Sequence, residues 1–227
     1  MIRAKHHPLY VRASDWIMKM LLHRHFRHIQ IQNNLKDRQG PVLLLANHFS
    51  WWDGFLARYA ITKTLKKKVF VMMLEEELSK RPFLRKVGAF SIRRNSRSVT
   101  ETIKYAQQVL QNPDHLLLIF PQGRFQSSHQ YPLGFEDGWF RILQGAPGNT
   151  RVVFLAALTD YFAFRKPGLY IYLDEVFRHT IDGRDQESAG QYEGADNFGS
   201  PEAAETAYNH FLKKAVEQQN RLATTRS

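Results

Sequence analysis

The sequence has 227 residues, of which 43% are hydrophobic and 13% aromatic, so it suits one packed domain and not a disordered chain. It contains no cysteine, which excludes disulfide bonds, zinc sites built from thiolates and a cysteine nucleophile. Its formal net charge of +11 predicts attraction to an anionic partner, such as nucleic acid, an anionic bilayer surface or a phosphate-bearing ligand.

The first predicted element is a helix from residue 14 to about residue 29. Apolar side chains that can share one face of it are Trp16, Ile17, Met20, Leu21 and Phe26. A basic amphipathic helix suits the bilayer interface, and the same pattern fits a helix packed on the domain with a solvated face. We therefore divide the chain into an N-terminal membrane-interface region, residues 1–30, and a globular domain, residues 31–227.

Short apolar runs then recur, separated by segments of helical composition. Runs of about four to eight residues without polar alternation are typical of strands buried on both faces. Six such strands are predicted, at residues 42–46, 69–74, 89–92, 116–120, 152–158 and 169–173. The predicted helices among and after them span residues 53–64, 98–111, about 134–143 and 201 to about 222, with a long surface loop at residues 181–200. This alternation predicts a single α/β domain with a largely parallel central sheet flanked by helices.

No stretch approaches the roughly 18 to 20 consecutive apolar residues of a membrane-spanning helix. The basic N-terminus is not followed by an apolar segment with a small-residue cleavage site. We therefore expect an unprocessed chain without a transmembrane anchor, which can still lie on a membrane surface.

A histidine and a carboxylate follow the first buried strand, in the stretch Asn47-His-Phe-Ser-Trp-Trp-Asp53. Ligands of parallel sheets usually bind beyond the carboxyl ends of the strands. An imidazole at this place can take a proton from a hydroxyl, and a carboxylate on its other nitrogen fixes the tautomer. The alternative is structural: Asp53 caps the helix that begins there, and His48 closes a turn.

Two further motifs bear on this choice, Gly88-Ala-Phe-Ser-Ile-Arg-Arg94 and Phe120-Pro-Gln-Gly123. With the His-(four residues)-Asp motif they resemble, in order, three sequence blocks of the glycerolipid acyltransferase superfamily, which includes the 1-acylglycerol-3-phosphate acyltransferases. The apolar run at residues 152–157 stands where the superfamily has a final strand block. The resemblance spans about residues 42–158 and identifies the domain at residues 31–227 as an acyltransferase domain.

The resemblance implies that His48 deprotonates an acceptor hydroxyl while Asp53 orients the imidazole. The hydroxyl oxygen then attacks the thioester of acyl-CoA or of an acyl carrier protein, and the acceptor is a lysophospholipid or lysophosphatidic acid. It implies neither a metal nor a tightly bound cofactor. The backbone amide of Gly123 is a candidate donor to the oxyanion. The residues expected to bind substrate are Asn47, Arg94, Gln122, Gly123 and Arg124.

The third block departs from the superfamily pattern Phe-Pro-Glu-Gly-Thr-Arg-Ser. Gln122 replaces the glutamate, Arg124 stands at the threonine position, and Phe125 stands at the arginine position. Glutamine can form hydrogen bonds but carries no charge, so the change affects the end of the site that holds the acceptor. An acceptor without a phosphomonoester, such as a glycolipid or a glycosylated terpenoid, is therefore an alternative.

Three other functions compete with acyl transfer. The cluster His23, His25 and His28 fits a basic interfacial helix better than a metal site, because His23 points away from the other two on a helix and no acidic ligand accompanies them. Nucleic-acid binding would suit the charge, but the basic residues are spread and no nucleic-acid module is legible. A lipid-binding pseudoenzyme conflicts with the presence of both His48 and Asp53.

The expected lipid acceptor and the positive net charge together predict a peripheral enzyme on the cytoplasmic face of the inner membrane.

Overall fold

The computed structural model describes residues 1–94, 98–176 and 200–224. Its strands are β1 Ile29–Asn34, β2 Val42–Ala46, β3 Lys68–Leu74, β4 Ala89–Ile92, β5 His115–Ile119, β6 Arg151–Asp160 and β7 Gly168–Val176. Its helices are α1 Pro8–His25, α2 Asp53–Thr64, α3 Glu75–Lys80, α4 Ser98–Val109, α5 Gly138–Gln144 and α6 Pro201–Thr224, with a 3-10 helix at Pro82–Val87. The predicted loop at residues 181–200 lies, except for Ser200, outside the described residues.

The seven strands form one sheet in the order β1-β7-β6-β2-β5-β3-β4. The five strands from β6 to β4 are parallel to their neighbours, β7 is antiparallel to β6, and β1 is parallel to β7. The carboxyl ends of β2, β5, β3 and β4 therefore meet at one edge of the sheet. This confirms the predicted single α/β domain with a largely parallel sheet.

The sheet is covered on both faces, which explains why its central strands are continuously apolar. Alternate side chains of a strand point to opposite faces. Leu43 and Leu45 of β2 pack in the cluster that contains α4, α5 and α6, whereas Leu44 packs in the cluster that contains α1 and α2. All three leucines are fully buried, so the run could not show the alternation of a half-exposed strand.

All six predicted strands are present, but β1 was not predicted. The proposed first helix ran to residue 29, whereas α1 spans Pro8–His25 and Phe26 is already extended. The alternation of Ile29 and Ile31 with glutamines is the pattern of an edge strand, and among the described strands β1 pairs with β7 alone. The predicted helix thus began too late and ended too late, and the short alternating segment that follows it was not predicted as a strand.

The helix predicted at residues 134–143 was placed too early. It begins at Gly138, because the backbone before it is held by side chains of α6. Asn209 accepts a hydrogen bond from the Leu133 N–H and donates one to the Leu133 carbonyl, and Glu205 accepts from the Phe135 N–H. These contacts between residues about 70 positions apart replace the helical pattern that composition suggested. The helix α3 and the 3-10 helix were also not predicted.

The N-terminal helix both packs on the domain and presents apolar side chains to solvent. Met18 and Leu22 are buried against α2 and the sheet, and Asp15 forms an ion pair with Arg58 of α2 at 2.6 Å. The exposed apolar side chains of α1 are Leu9, Tyr10, Trp16, Ile17 and Met20. In the three described ranges, no helix combines the length and the apolarity needed to cross a bilayer. The division at residue 30 stays a prediction.

Candidate active site

The three sequence motifs meet at the carboxyl edge of the parallel strands. His48 follows β2, Gln122 follows β5 and Arg94 follows β4. Because β2 and β5 are neighbours, the loops that carry His48 and Gln122 are in direct contact: the His48 N–H donates to Gln122 Oε1 at 2.6 Å, and the Gln126 N–H donates to the His48 carbonyl at 2.9 Å. The edge predicted from parallel-sheet geometry is therefore where these residues lie.

His48 and Asp53 form a hydrogen-bonded pair. The distance from His48 Nδ1 to Asp53 Oδ2 is 2.9 Å. The same carboxylate oxygen accepts hydrogen bonds from the backbone N–H groups of Phe49 at 2.7 Å and Ser50 at 2.8 Å. Since a carboxylate only accepts, Nδ1 carries the proton in the neutral imidazole, and Nε2 is left as the acceptor. This arrangement suits a histidine that takes a proton through Nε2.

The turn between β2 and α2 brings these two side chains together. Trp52 is the residue before the helix, Asp53 is its first residue, and the Asp53 N–H donates to the Ser50 carbonyl. The carboxylate lies in the first helical turn, where the helix dipole favours negative charge, but it reaches back to the turn and does not cap the helix. Asp53 is thus buried, with an exposed fraction of 3%, and its hydrogen bonds stabilise the turn that carries His48.

Two phenylalanine rings contact the imidazole of His48. Phe120 stacks on it with ring centroids 4.1 Å apart, and Phe125 lies on it at 4.2 Å with a tilt of 38°. The His48 side chain is 20% exposed, and Phe125 is 57% exposed. The imidazole is therefore shielded by aromatic faces. Nothing in the spacing of the sequence indicated this arrangement, although both phenylalanines lie in or next to the third block.

Two of the predicted substrate-binding residues have their side chains directed into the protein. Asn47 is buried, and its amide bonds the backbone of Ala157 on β6 in both directions, at 3.0 Å and 2.9 Å. Gln122 is also buried; its oxygen accepts from the His48 N–H and its nitrogen donates to Gln126 at 2.5 Å. Both amides hold the loop of His48, and a direct contact of either with a substrate stays a prediction.

Gly123 lies between Arg94 and Glu136 and has a positive φ of 65°. Arg94 donates a hydrogen bond to the Gly123 carbonyl, which joins the loop after β4 to the loop after β5. The Gly123 N–H is used within the turn, where it donates to the Phe120 carbonyl at 3.0 Å. The role of this amide as a donor to the oxyanion therefore stays a prediction, and it would require the amide to leave or share this hydrogen bond. Arg124 is exposed next to it.

The sequence profile of the Acyltransferase family matches residues 25–157. The matched segment contains β1 to β5, most of β6, and all the residues of the site described above. The chain belongs to the acyltransferase family. No curated protein matches the sequence. The match supports membership of the glycerolipid acyltransferase superfamily and a general role as an acyltransferase.

One residue outside the matched segment of this acyltransferase supports the site from behind. Tyr208 of α6 is completely buried, and its hydroxyl donates to the Leu155 carbonyl at 2.7 Å. Burial raises the pKa of Tyr208 well above its usual value, and the charge of Asp53 raises it further. The second carboxylate oxygen of Asp53 is buried without a hydrogen bond from the described residues. The neutral phenol of Tyr208 is thus part of the low-dielectric protein interior next to the His48–Asp53 pair.

Aromatic faces can stack on a sugar or a polyene, and six aromatic residues in and near the first and third motifs fall into two groups by exposure. Trp139 is a core residue, and Phe135 is half-buried against it and against Tyr208. The aromatic side chains that remain exposed are Trp51, Trp52, Phe125 and Tyr131. Only this second group of the acyltransferase can contact an external molecule without a rearrangement of the core.

The histidines of the N-terminal region face different neighbours in the acyltransferase. The rings of His23, His25 and His28 contact Tyr59, Trp52 and Tyr170, respectively. Within residues 1–94, 98–176 and 200–224 no group of three or more histidine, aspartate or glutamate side chains is placed to hold a metal ion. The geometry therefore gives no support to the rival metal site.

Proposed function

We propose that this acyltransferase moves a fatty acyl group from acyl-CoA or acyl carrier protein to a hydroxyl of a membrane lipid, for which a lysophospholipid or lysophosphatidic acid and a glycosylated lipid are the two candidate classes of acceptor. The observation that carries the proposal is the 2.9 Å hydrogen bond between His48 Nδ1 and Asp53 Oδ2 at the carboxyl edge of the sheet. It leaves Nε2 as the acceptor for a hydroxyl proton. General base catalysis of this kind contributes roughly 10²–10⁴ in rate.

The proposed reaction proceeds in two steps without a covalent enzyme intermediate. His48 Nε2 takes the hydroxyl proton while the oxygen forms a bond to the thioester carbon, and Asp53 stabilises the imidazolium that results. The tetrahedral intermediate then collapses, the carbon–sulfur bond breaks, and the imidazolium returns its proton to the departing thiolate. Asn47 and Gln122 act as positioning residues, because both fasten the loop that carries His48. The proposed mechanism needs neither a metal nor a bound cofactor.

A second acceptor class has its own support. The neutral amide of Gln122 is turned towards the His48 backbone, so this block offers no carboxylate to a headgroup. Phe125 and Tyr131 are exposed beside it, and aromatic faces stack well on sugar rings and polyenes. A glycolipid or glycosylated terpenoid, acylated by the same chemistry, is therefore the alternative acceptor to a lysophospholipid.

The test is transfer of a labelled acyl chain. The purified protein is incubated with carbonyl-labelled palmitoyl-CoA or palmitoyl carrier protein and with vesicles that contain lysophosphatidic acid, a lysophospholipid or a monoacyl glycolipid. We expect label in an esterified lipid together with one free thiol for each ester formed. Thiol release without an ester would indicate hydrolysis, and no transfer to any hydroxylated lipid would overturn the proposal in favour of a lipid-binding pseudoenzyme.

We also propose that the enzyme acts as a peripheral protein at an anionic bilayer, on the cytoplasmic face of the inner membrane. The net charge of +11 favours an anionic surface, and juxtamembrane lysines and arginines contribute about 1 kcal/mol each. Trp16 is 66% exposed on α1, and Trp51 and Trp52 are exposed in the loop that follows His48. The ring of His25 at the end of α1 lies 6.3 Å from that of Trp52, so the helix and the loop can contact one surface.

Substitution of Trp16 and Ile17 by glutamate is expected to weaken binding to anionic vesicles by at least about 10-fold, because each buried apolar side chain contributes roughly 1.5–3 kcal/mol. Raising the salt concentration should release the unsubstituted protein as well. Co-sedimentation with vesicles measures both effects. Substitution is preferable to deletion of residues 1–30, which would remove Met18 and Leu22 from the core.

The matched control is Val216→Glu, which replaces an apolar side chain that is 40% exposed on α6, a helix that packs on the other face of the sheet from α1. It should leave vesicle binding unchanged. Equal binding by the control and the α1 variant, at low and at high salt, would contradict the proposed membrane surface.

A further inference from the structure

A pair of opposite charges flanks the backbone of Gly123. A Cβ placed on Gly123 would lie 2.6 Å from Arg94 Nη2, 3.0 Å from Glu136 Cγ and 3.4 Å from Glu136 Oε1. The guanidinium and the carboxylate therefore approach the same side of this residue and lie within about 6 Å of each other. Only glycine leaves that space open, and Gly123 directly follows Gln122, whose amide holds His48.

Glu136 is brought to Gly123 by a loop that is fixed at several points. The Glu136 N–H donates to the Pro121 carbonyl at 2.8 Å, which ties the two segments together. Further along the same loop, Asn209 bonds both backbone groups of Leu133, and Glu205 accepts from the N–H of the residue before Glu136. The backbone position of this carboxylate is thus set by the contact between the loop and α6.

We propose that Glu136, together with Arg94, determines the specificity for the acceptor and selects a neutral polyhydroxylated headgroup, such as a sugar, over a phosphomonoester. The inference rests on the proposed acyl transfer and names the substrate class of that site. A carboxylate accepts hydrogen bonds from hydroxyl groups, and a guanidinium donates to their oxygens, so the pair complements a headgroup that is both donor and acceptor. A phosphate dianion in the same place would be repelled by Glu136.

The charges of the side chains near Gly123 support the selection of a neutral headgroup over a phosphomonoester. Gln122 is neutral and buried, so its side chain offers a headgroup no charge. Arg94 already donates to the Gly123 carbonyl, which occupies part of its guanidinium. Arg93 is paired with Glu75 and is therefore partly neutralised. Among the residues that the structure describes next to Gly123, Arg124 is a further positive side chain, and it is exposed.

The test compares acceptors in the unsubstituted enzyme and in Glu136→Gln. The probes are vesicles that contain a monoacyl glucosyl glycerolipid, lysophosphatidic acid or lysophosphatidylcholine, and the measured quantity is kcat/KM for acyl transfer. We expect the unsubstituted enzyme to prefer the glucosyl lipid. Glu136→Gln should lower kcat/KM for that lipid by about 10-fold, mainly through KM, because a charged hydrogen-bond acceptor is lost. It should raise kcat/KM for lysophosphatidic acid.

Asp137→Asn is the matched control, because it removes an exposed carboxylate one residue away and should leave both values unchanged. A parallel change for all three lipids, or no change, would overturn the proposal. So would a preference of the unsubstituted enzyme for lysophosphatidic acid. A preference for lysophosphatidylcholine would indicate that Glu136 pairs with an ammonium group, which also overturns the assignment to sugars.

A binding measurement separates this inference from the proposed catalysis. Calorimetric titration with octyl glucoside and octyl phosphate, below the concentrations at which they form micelles, needs no turnover. Tighter binding of the glucoside, weakened about 10-fold in Glu136→Gln, supports the role of Glu136 even if no acyl transfer is found. Equal dissociation constants in the two proteins would overturn the inference even if acyl transfer is confirmed.

Discussion

Replacement of His48 by alanine is expected to lower the rate of acyl transfer by about 10²–10⁴-fold, because it removes the proposed general base. In the unsubstituted protein the His48 ring is hydrogen-bonded to Asp53 and contacts the rings of two phenylalanines. A neighbouring side chain could therefore not take the position of the imidazole without a change in the turn. The rate of thiol release from acyl-CoA in the presence of acceptor measures the effect, with kcat and KM determined separately.

Two controls distinguish a catalytic loss from a folding defect. His129→Ala removes an exposed histidine from the loop after the third block and should leave the rate unchanged. The melting temperature of His48→Ala should stay near that of the unsubstituted protein, since the His48 side chain is partly exposed. If His48→Ala retained more than about a third of the original rate, the role of His48 as the base would be wrong.

Replacement of Asp53 by asparagine is expected to lower the rate by a similar factor, roughly 10²–10⁴-fold, while leaving substrate binding nearly unchanged. An amide oxygen can still accept from the N–H groups of Phe49 and Ser50, but it carries no charge to stabilise the imidazolium of His48. The amide nitrogen would occupy the buried position that now lacks a hydrogen bond, so the free energy of unfolding should also fall by about 1–3 kcal/mol. Initial rates and urea unfolding measure the two effects.

The double variant of His48→Ala with Asp53→Asn tests whether the two residues act as one unit. If Asp53 acts through the imidazole, the double variant should lose no more activity than His48→Ala alone. Asp37→Asn, an exposed carboxylate at the opposite edge of the sheet, is the control and should have no effect. Additive losses would show that Asp53 has a role that does not involve His48.

The parts of the fold that could be predicted are those whose signal is local. The apolar runs of β2 and β5 are buried on both faces, so composition alone indicates central strands. The strand β1 was missed because its alternation is brief and follows directly on a helix. The start of α5 was missed because Asn209, far along the chain, holds the backbone at Leu133.

The same distinction between local signals and contacts of distant residues applies to the candidate active site. The pairing of His48 with Asp53 could be predicted because both residues lie in one turn. The stacking of Phe125 on His48 and the direction of the Gln122 amide depend on contacts between separate loops, and the approach of Glu136 to Gly123 depends on how the long segment between β5 and α5 folds back on itself. No spacing in a single sequence encodes such contacts, so the acceptor end of the site could be examined only in the folded chain.

The fastening of Asn47 to β6 has a consequence for heat inactivation. Both atoms of its amide bond the main chain of Ala157, and the next residue is His48. The imidazole is thereby attached to the centre of the sheet and not to a surface segment that could loosen first. On heating, enzyme activity and the folded sheet should consequently be lost at the same temperature. We expect no range of temperature in which the sheet is intact but His48 is displaced.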